Sequence, residues 1–187
     1  MKLAERIDGE RIYLIKTGCS QQLAEEVYQH IEASRKELRP WLDWEISTLS
    51  PQDYLKFLEF TQKPWSEGTG FYYLVRDKSD DSYIANLSVN EYIGKKEQAL
   101  LGYWQSTARC GNGYLSEAVT VLEKALFAAG CHKIVIETDV LNLKSAAIPQ
   151  RLGYKLEGIL RQEIFAPNEN RYRDINHFTK LAGEQKK

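Results

Sequence analysis

The 187-residue sequence predicts a mixed α/β domain, and three features carry that reading. Apolar residues recur with a period of two in some segments and with the 3.6-residue helical period in others, and the second half runs in the order ββαβαββ. No internal repeat and no Gly/Ser/Pro-rich linker divides the chain. Its 43% hydrophobic and 27% charged residues suit a globular chain of this length, which can bury a core without staples. Residues 1–182 are expected to form a single domain, with 183–187 a polar tail.

The elements follow in order. Arg11 to Lys16 (RIYLIK) alternates like a first strand. Ser20 can cap a helix in which Leu23, Val27 and Ile31 recur every four residues, and it ends before Pro40 because the residue ahead of a proline resists helical dihedrals. Trp41, Leu42 and Trp44 form an aromatic connector, and Ser50-Pro51 reads as the cap and first position of a second helix through Leu55, Leu58 and Phe60. From Phe71 the runs FYYLVRD, SYIANLSVNEY and QALLGYWQ, parted by turns at Asp80-Asp81 and Gly94, read as an antiparallel meander. The loop STARCGNG then feeds a helix with Leu115, Ala118, Val119, Leu122, Ala125, Leu126 and Ala129 on one face, closed by Gly130. Lys133 to Asp139 is a strand, Asn142 to Leu152 a capped helix closed by Gly153, and two strands follow Tyr154 and Arg171.

Composition narrows the function. Lys+Arg number 25 against Asp+Glu 26, a net charge of -1, so there is no global field to concentrate nucleic acid or anionic lipid. No apolar run approaches the roughly 18–20 residues that span a bilayer, and the opening MKLAERIDGER lacks an apolar signal segment, so a cytoplasmic location is expected. Cys19, Cys110 and Cys131 are odd in number and unclustered, and the three histidines are scattered, which suggests neither a disulfide framework nor a metal site. Function therefore rests on local motifs.

Arg109-Cys110-Gly111-Asn112-Gly113-Tyr114 lies between a strand end and a long helix, where backbone N–H groups and the positive end of the helix dipole converge. Two glycines let the backbone approach a bulky anion, although a plain tight loop also favours them. The string is not a dinucleotide fingerprint, since Ser116 replaces the third glycine, and it lacks the Gly-Lys-Ser/Thr ending of a P-loop.

GYWQSTARCGNGYLSEAV resembles the pyrophosphate-binding motif Q/R-x-x-G-x-G/A of the GCN5-related N-acetyltransferases, or GNAT family. LRPWLDW, GYW, GNGYLSEA, the N-x-x-S of Asn142 to Ser145, LGYKLEGILRQ and RYRDI resemble, in the same order, its Rim-type branch of ribosomal-protein N-terminal acetyltransferases. The resemblance implies a GNAT fold: a central, mostly antiparallel sheet with a V-shaped splay between two strands, flanked by helices. It implies acetyl-CoA as co-substrate, with residues 109–114 cradling the pyrophosphate and the pantetheine arm along Ala99 to Gln105. The branch is often dimeric, so a homodimer is expected. Two departures stand out: Cys110 occupies the leading Gln/Arg position and Leu115 the second Gly/Ala position. Arg109, one residue out of register, either reaches a phosphate or is a solvated surface arginine, and Cys110 is either a small loop residue or a reactive thiol at a helix N-terminus.

The resemblance also assigns the reacting groups. The backbone N–H of Trp104 or Gln105 is the candidate donor to the thioester carbonyl, and Gly102 fits the bulge that opens the gap. Asn142 would cap its helix and contact the cofactor arm, while Ser145 would donate a hydrogen bond to the departing thiolate; Tyr154 is an alternative donor or a core residue. A thiol with pKa near about 8.5 leaves readily and needs little more than one hydrogen bond.

Amine arithmetic bears on the acceptor. A chain α-amine costs under about 1.5 kcal/mol to deprotonate at pH 7, whereas a lysine amine costs nearly 5 kcal/mol, roughly. Glu91, beside Asn90 in the strand VNEY, is the candidate to take that proton or to bind the cationic amine, unless it is simply an outward polar residue. Glu157 and Glu163 are weaker candidates, and Asp174 is expected to pair with a neighbouring arginine. Trp41 and Trp44 either wall the acceptor groove or lid the core. The expected activity is transfer of acetyl to an amine, the N-terminal α-amine of a ribosomal or other protein, by direct attack in a ternary complex. The alternatives are a small-amine acetyltransferase and a non-catalytic CoA-binding module, the latter because of Cys110 and because Pro149 interrupts its helix at the Ser145 carbonyl.

Overall fold

The computed structural model describes residues 1–184; the remainder of the expected tail, 185–187, lies outside the described residues. The chain runs β1 (Arg6–Asp8), β2 (Ile12–Lys16), α1 (Gln21–Leu38), α2 (Pro51–Glu67), β3 (Phe71–Asp77), β4 (Tyr83–Ile93), β5 (Gln98–Gln105), α3 (Tyr114–Ala128), β6 (Lys133–Asp139), α4 (Leu143–Arg151), β7 (Lys155–Ala166) and β8 (Arg171–Leu181). The strands form one sheet in the order β1-β2-β3-β4-β5-β6-β8-β7. Pairing is antiparallel throughout except for β5 with β6.

Local chemistry sets most boundaries. Ser20 Oγ accepts from the Leu23 N–H at 3.2 Å and Ser50 Oγ from the Asp53 N–H at 3.2 Å, so both expected N-caps are formed. Gly130 at φ 89° closes α3 and Gly153 at φ 80° closes α4. Two expectations need correction. A short strand, β1, precedes the first expected one and hairpins onto it; three residues are too few to show a period. Phe60 is 60% exposed, because the buried face of α2 is Tyr54, Leu58 and Thr61.

The sheet separates two cores. On one face Leu115, Val119, Leu122 and Leu126 of α3 pack with Ala146 of α4 onto Leu14, Tyr73, Leu87, Leu101 and Ile136. On the other, α1 and α2 bring Val27, Ile31, Tyr54 and Leu58 against Leu74, Tyr83 and Trp104. The helical period of α3 also places Glu123 inside the first core, where Lys180 of β8 donates to it at 2.7 Å with both side chains under a tenth exposed. Arg173 is 3% exposed and donates to the carbonyls of Pro40 and Trp41 while facing Asp43 and Asp139. The separated strings LRPWLDW and RYRDI thus meet in space, and the connector between α1 and α2 is fixed to β8. Asp174, expected to pair with an arginine, instead accepts from the Gln162 N–H at 2.8 Å, steadying a β7 bulge in which Gln162 has φ 53°.

One break in pairing shapes everything that follows. β5 and β6 are in register only from Gln98/Lys133 to Leu101/Ile136. Beyond that point β5 stays paired to β4 as far as Gln105, and β6 to β8 as far as Asp139, so the two central strands diverge into a V.

The buried ion pair gives a stability test. Lys180→Met leaves the Glu123 carboxylate buried and alone, and should lower the unfolding free energy by about 3 kcal/mol. The double variant Lys180→Met/Glu123→Leu should recover most of that loss, measured by urea denaturation.

Candidate active site

At the open end of the V, β5 runs through a turn into α3. Gly111 has φ 86° and Gly113 φ 75°, left-handed conformations that side-chain-bearing residues rarely adopt. Gly113 is the N-cap of α3 and, having no side chain, offers no cap to the free N–H groups. Among the described residues, none accepts from the backbone N–H groups of residues 111–116. A Cβ at Gly111 would meet nothing within 4 Å, so the loop is open above it. A run of free N–H groups at a helix N-terminus beside an open glycine loop fits a pyrophosphate.

The side chains of the cradle are otherwise occupied. Arg109 faces Asp77 at 3.6 Å and Asp80 at 3.7 Å and also binds Ser82, so its charge is already matched. Tyr114 donates from its hydroxyl to Asp77 at 3.1 Å, leaving its backbone to the cradle. The Asn112 carbonyl accepts from Arg11 at 3.0 Å, and Arg11 also binds Glu117. Burial pushes the Cys110 thiol up, against the opposing charge of Lys144, so the reactive thiolate considered from sequence is disfavoured. Arg151, which sequence reasoning missed, donates to Ser116 Oγ at 3.0 Å in the first turn of α3, with no carboxylate partner among the described residues.

The edge of β5 facing the gap follows from two anchors. The Glu97 carbonyl accepts from His132 on the β6 side, and the Ser106 N–H donates to Ile84 on the β4 side. Backbone groups alternate sides along a strand, so the N–H groups of Tyr103 and Gln105 face the gap, whereas that of Trp104 faces β4. Of the two donors left open by the sequence, only Gln105 is oriented for a thioester in the V. The bulge lies in β4 rather than at Gly102: Val89 pairs with Leu101 and Glu91 with Leu100, which leaves Asn90 as the extra residue. This turns Glu91 onto the face shared by Leu100, Gly102 and Trp104. Glu91 is exposed.

At the other wall Asn142 accepts from the Ser145 N–H at 3.1 Å as the α4 cap. Pro149 lacks the N–H that would bond the Ser145 carbonyl, and the Tyr103 hydroxyl supplies the missing donor at 3.2 Å. Ser145 Oγ in turn lies 3.4 Å from the same hydroxyl. Burial pushes the Tyr103 phenol up to about 12, so it remains a donor at neutral pH. Tyr154 is 5% exposed beside Glu123 and belongs to the core, with burial holding its phenol above the ordinary range.

On the α1/α2 side of the V lies a cavity of about 650 Å³. Trp44, Tyr54, Phe57 and Tyr72 wall it, and Asn90, Gly102 and Trp104 lie along its sheet side. Trp44 packs on Trp104 with ring centroids 5.9 Å apart. Trp41 is not part of this wall; its carbonyl is bound by Arg173 instead. Glu157 binds Lys133 at 2.7 Å, which holds its carboxyl below the usual range. Among the described residues no cluster of His, Cys, Asp and Glu could hold a metal, and no helix is long and apolar enough to cross a membrane.

The Tyr103 substitution of a helix hydrogen bond is testable. Tyr103→Phe should cost about 1 kcal/mol of stability, and less in a Pro149→Ala background where the backbone N–H returns. Urea midpoints of the four proteins measure the coupling.

Comparison with known proteins agrees with this geometry. Residues 18–155 match the family model described as "Acetyltransferase (GNAT) domain". The ribosomal-protein-serine acetyltransferase of Escherichia coli (strain K12) is 26% identical over 160 residues, 85% of this chain and 87% of that protein. RimL, a ribosomal L7/L12 α-N-protein acetyltransferase solved in complex with coenzyme A, superposes with a TM-score of 0.86 at 22% identity, covering 95% of this chain and 98% of RimL. The microcin C7 self-immunity acetyltransferase MccE, solved with acetyl-CoA and AMP, gives 0.85 at 22% identity over 92% and 93% of the two chains. The chain belongs to the GNAT acetyltransferase family, and is an N-acetyltransferase with acetyl-CoA as its co-substrate.

Proposed function

We propose that residues 1–182 form a single acetyltransferase domain that acetylates the N-terminal α-amine of a protein by direct attack within a ternary complex. One observation carries the ternary complex: the aromatic cavity is lined by Gly102, Tyr103 and Trp104, the β5 residues just past the register with β6, and the same strand runs on into the N–H cradle. Both substrates can therefore reach the gap together. The α-amine is supported by its modest deprotonation cost and by the acceptor named for the Escherichia coli relative, a ribosomal protein. A small amine is the second reading, favoured by the size of the cavity and by the AMP bound to MccE. The Pro149 objection to catalysis loses force, because Tyr103 occupies the carbonyl that the proline leaves open.

In this reading the N–H groups of 111–116 bind the pyrophosphate and Arg151 adds charge beside them. The Gln105 N–H polarises the thioester carbonyl. The amine lone pair forms the new C–N bond while the C–S bond breaks. The thiolate accepts a hydrogen bond from Ser145 and then a proton, and the amine proton leaves to Glu91 or to water through it. Asn90, Glu91 and Trp44 hold the acceptor.

Acetyl-CoA should raise the melting temperature, and NAD and ATP should not, since binding to the native state alone stabilises it. Gly113→Val should abolish the effect, because a β-branched residue is strained at φ 75° and covers the N–H groups. Equal shifts with all three ligands would defeat the donor site.

Ser145→Ala should lower kcat by about ten- to a hundredfold with acetyl-CoA affinity nearly intact, the value of one hydrogen bond made mainly in the transition state. Glu91→Gln should show a deficit that shrinks as pH rises, because above the amine pKa the acceptor is already neutral. An acceptor screen with peptides and small amines, following thiol release, separates the two substrate readings.

A further inference from the structure

Ser88, Asn90 and Gly102 form a unit at the mouth of the gap. Ser88 Oγ lies 2.7 Å from the Asn90 amide oxygen as placed and 3.1 Å from the Gly102 carbonyl. A hydroxyl has one proton and cannot donate to both oxygens. The Gly102 carbonyl already faces the Ser88 N–H across the β4–β5 ladder, so the hydroxyl is satisfied with either end of the amide toward it; with oxygen and nitrogen exchanged, the amide N–H donates to Ser88 and Ser88 to Gly102. The other amide atom then becomes the oxygen. It occupies the space above Gly102, since a Cβ built there would lie 2.4 Å from it. Gly102 is the first β5 residue beyond the register with β6, and both Gly102 and Asn90 line the acceptor cavity.

We infer that the Asn90 amide oxygen, held by Ser88 and given room by Gly102, accepts an N–H of the incoming primary amine and aims its lone pair at the gap. The inference rests on the acetyl-transfer reading and specifies how its acceptor side works. An amide suits the position because it binds the amine without a formal charge. A carboxylate in the same place would stabilise the ammonium form, which cannot attack. Glu91, which the bulge brings to the same face, takes the proton, so holding and deprotonation fall to adjacent residues. The absence of a side chain at Gly102 is thereby explained: its φ is not in the left-handed region, so any residue could adopt the backbone, but none could share the space with the amide.

The test uses steady-state kinetics of the full chain with acetyl-CoA and either a short peptide with a free N-terminal serine or spermidine as acceptor. Asn90→Ala should raise the acceptor KM about tenfold, the loss of one hydrogen bond, with the acetyl-CoA melting shift unchanged. Gly102→Ala should do the same by expelling the amide, and the double variant should be no worse than either alone. Asn90→Asp should move the rise of kcat to higher pH by about one pH unit, because the added carboxylate raises the pKa of the bound amine; a merely structural asparagine would not move that profile. The other titratable groups at the cavity, Asp53, Tyr54, Lys56, Tyr72, Tyr73 and Tyr103, with Glu91 beside them, are unaltered in every variant. Acceptor KM within twofold of wild type in Asn90→Ala, or additive losses in the double variant, would overturn the inference and leave the transferase reading intact. Absence of transfer by the wild type to both acceptors would overturn both.

Discussion

The site depends on a single failure of pairing. Up to Leu101 and Ile136 the parallel ladder between β5 and β6 is intact, and after it each strand keeps only its outer partner. Unpaired backbone groups in a sheet interior are costly, and a chain tolerates them where something else can bond them. Here the inner edge of β5 presents the Tyr103 and Gln105 groups to the gap, and the N–H groups of the α3 cradle are left free beyond the 106–110 turn. Strand edge and helix N-terminus thus offer two sets of free donors on either side of the 106–110 turn, suited to an extended ligand with an anionic end.

What keeps the V open is distributed over residues far apart in the chain. On the β5 side the bulge at Asn90 interrupts the β4 register and shifts the next side chain to the face shared by Leu100, Gly102 and Trp104. On the β6 side Asp139, the last residue of the strand, is faced by Arg171 and Arg173 from β8. Across the gap, the Tyr103 hydroxyl ties β5 to the backbone of α4 at the carbonyl Pro149 leaves free. The proline that looked like a defect in a helix is therefore one half of a contact between the two walls.

The glycine loop and the helix caps were legible in the sequence because their requirements are local. Two glycines after a strand and before an amphipathic helix state a backbone conformation within six residues, and the caps at Ser20, Ser50 and Asn142 are equally short-range. The cavity side was not. Glu91 could be placed beside Asn90, but its face depends on a bulge that no alternation reveals, and Gly102 suggested the bulge on the wrong strand because its real neighbour is a side chain across the sheet. Tyr103 and Ser88 carried no signal at all. Each acts through a partner 14 or 42 residues away, a relation that periodicity cannot express. Arg109 is close to the cradle in sequence, while the carboxylates that face it come from the end of β3 and from the β3–β4 turn, a pairing that sequence spacing does not reveal.

The same long-range economy links the tip of β6 to the aromatic cavity. Arg173 faces Asp139 at the tip of β6 and donates to the carbonyls of Pro40 and Trp41, at the start of the connector that carries Trp44. Trp44 then leans on Trp104, whose strand borders the gap. One buried guanidinium thus joins the tip of β6 to the connector behind the aromatic cavity wall, and a charge 3% exposed cannot exchange its partners for water without a large desolvation penalty. Arg173 thus ties the start of the connector to β8, Arg35 of α1 binds the Glu45 and Thr48 carbonyls further along it, and Leu42 and Trp44 pack on the second core, so that two strings of sequence more than a hundred residues apart serve one wall.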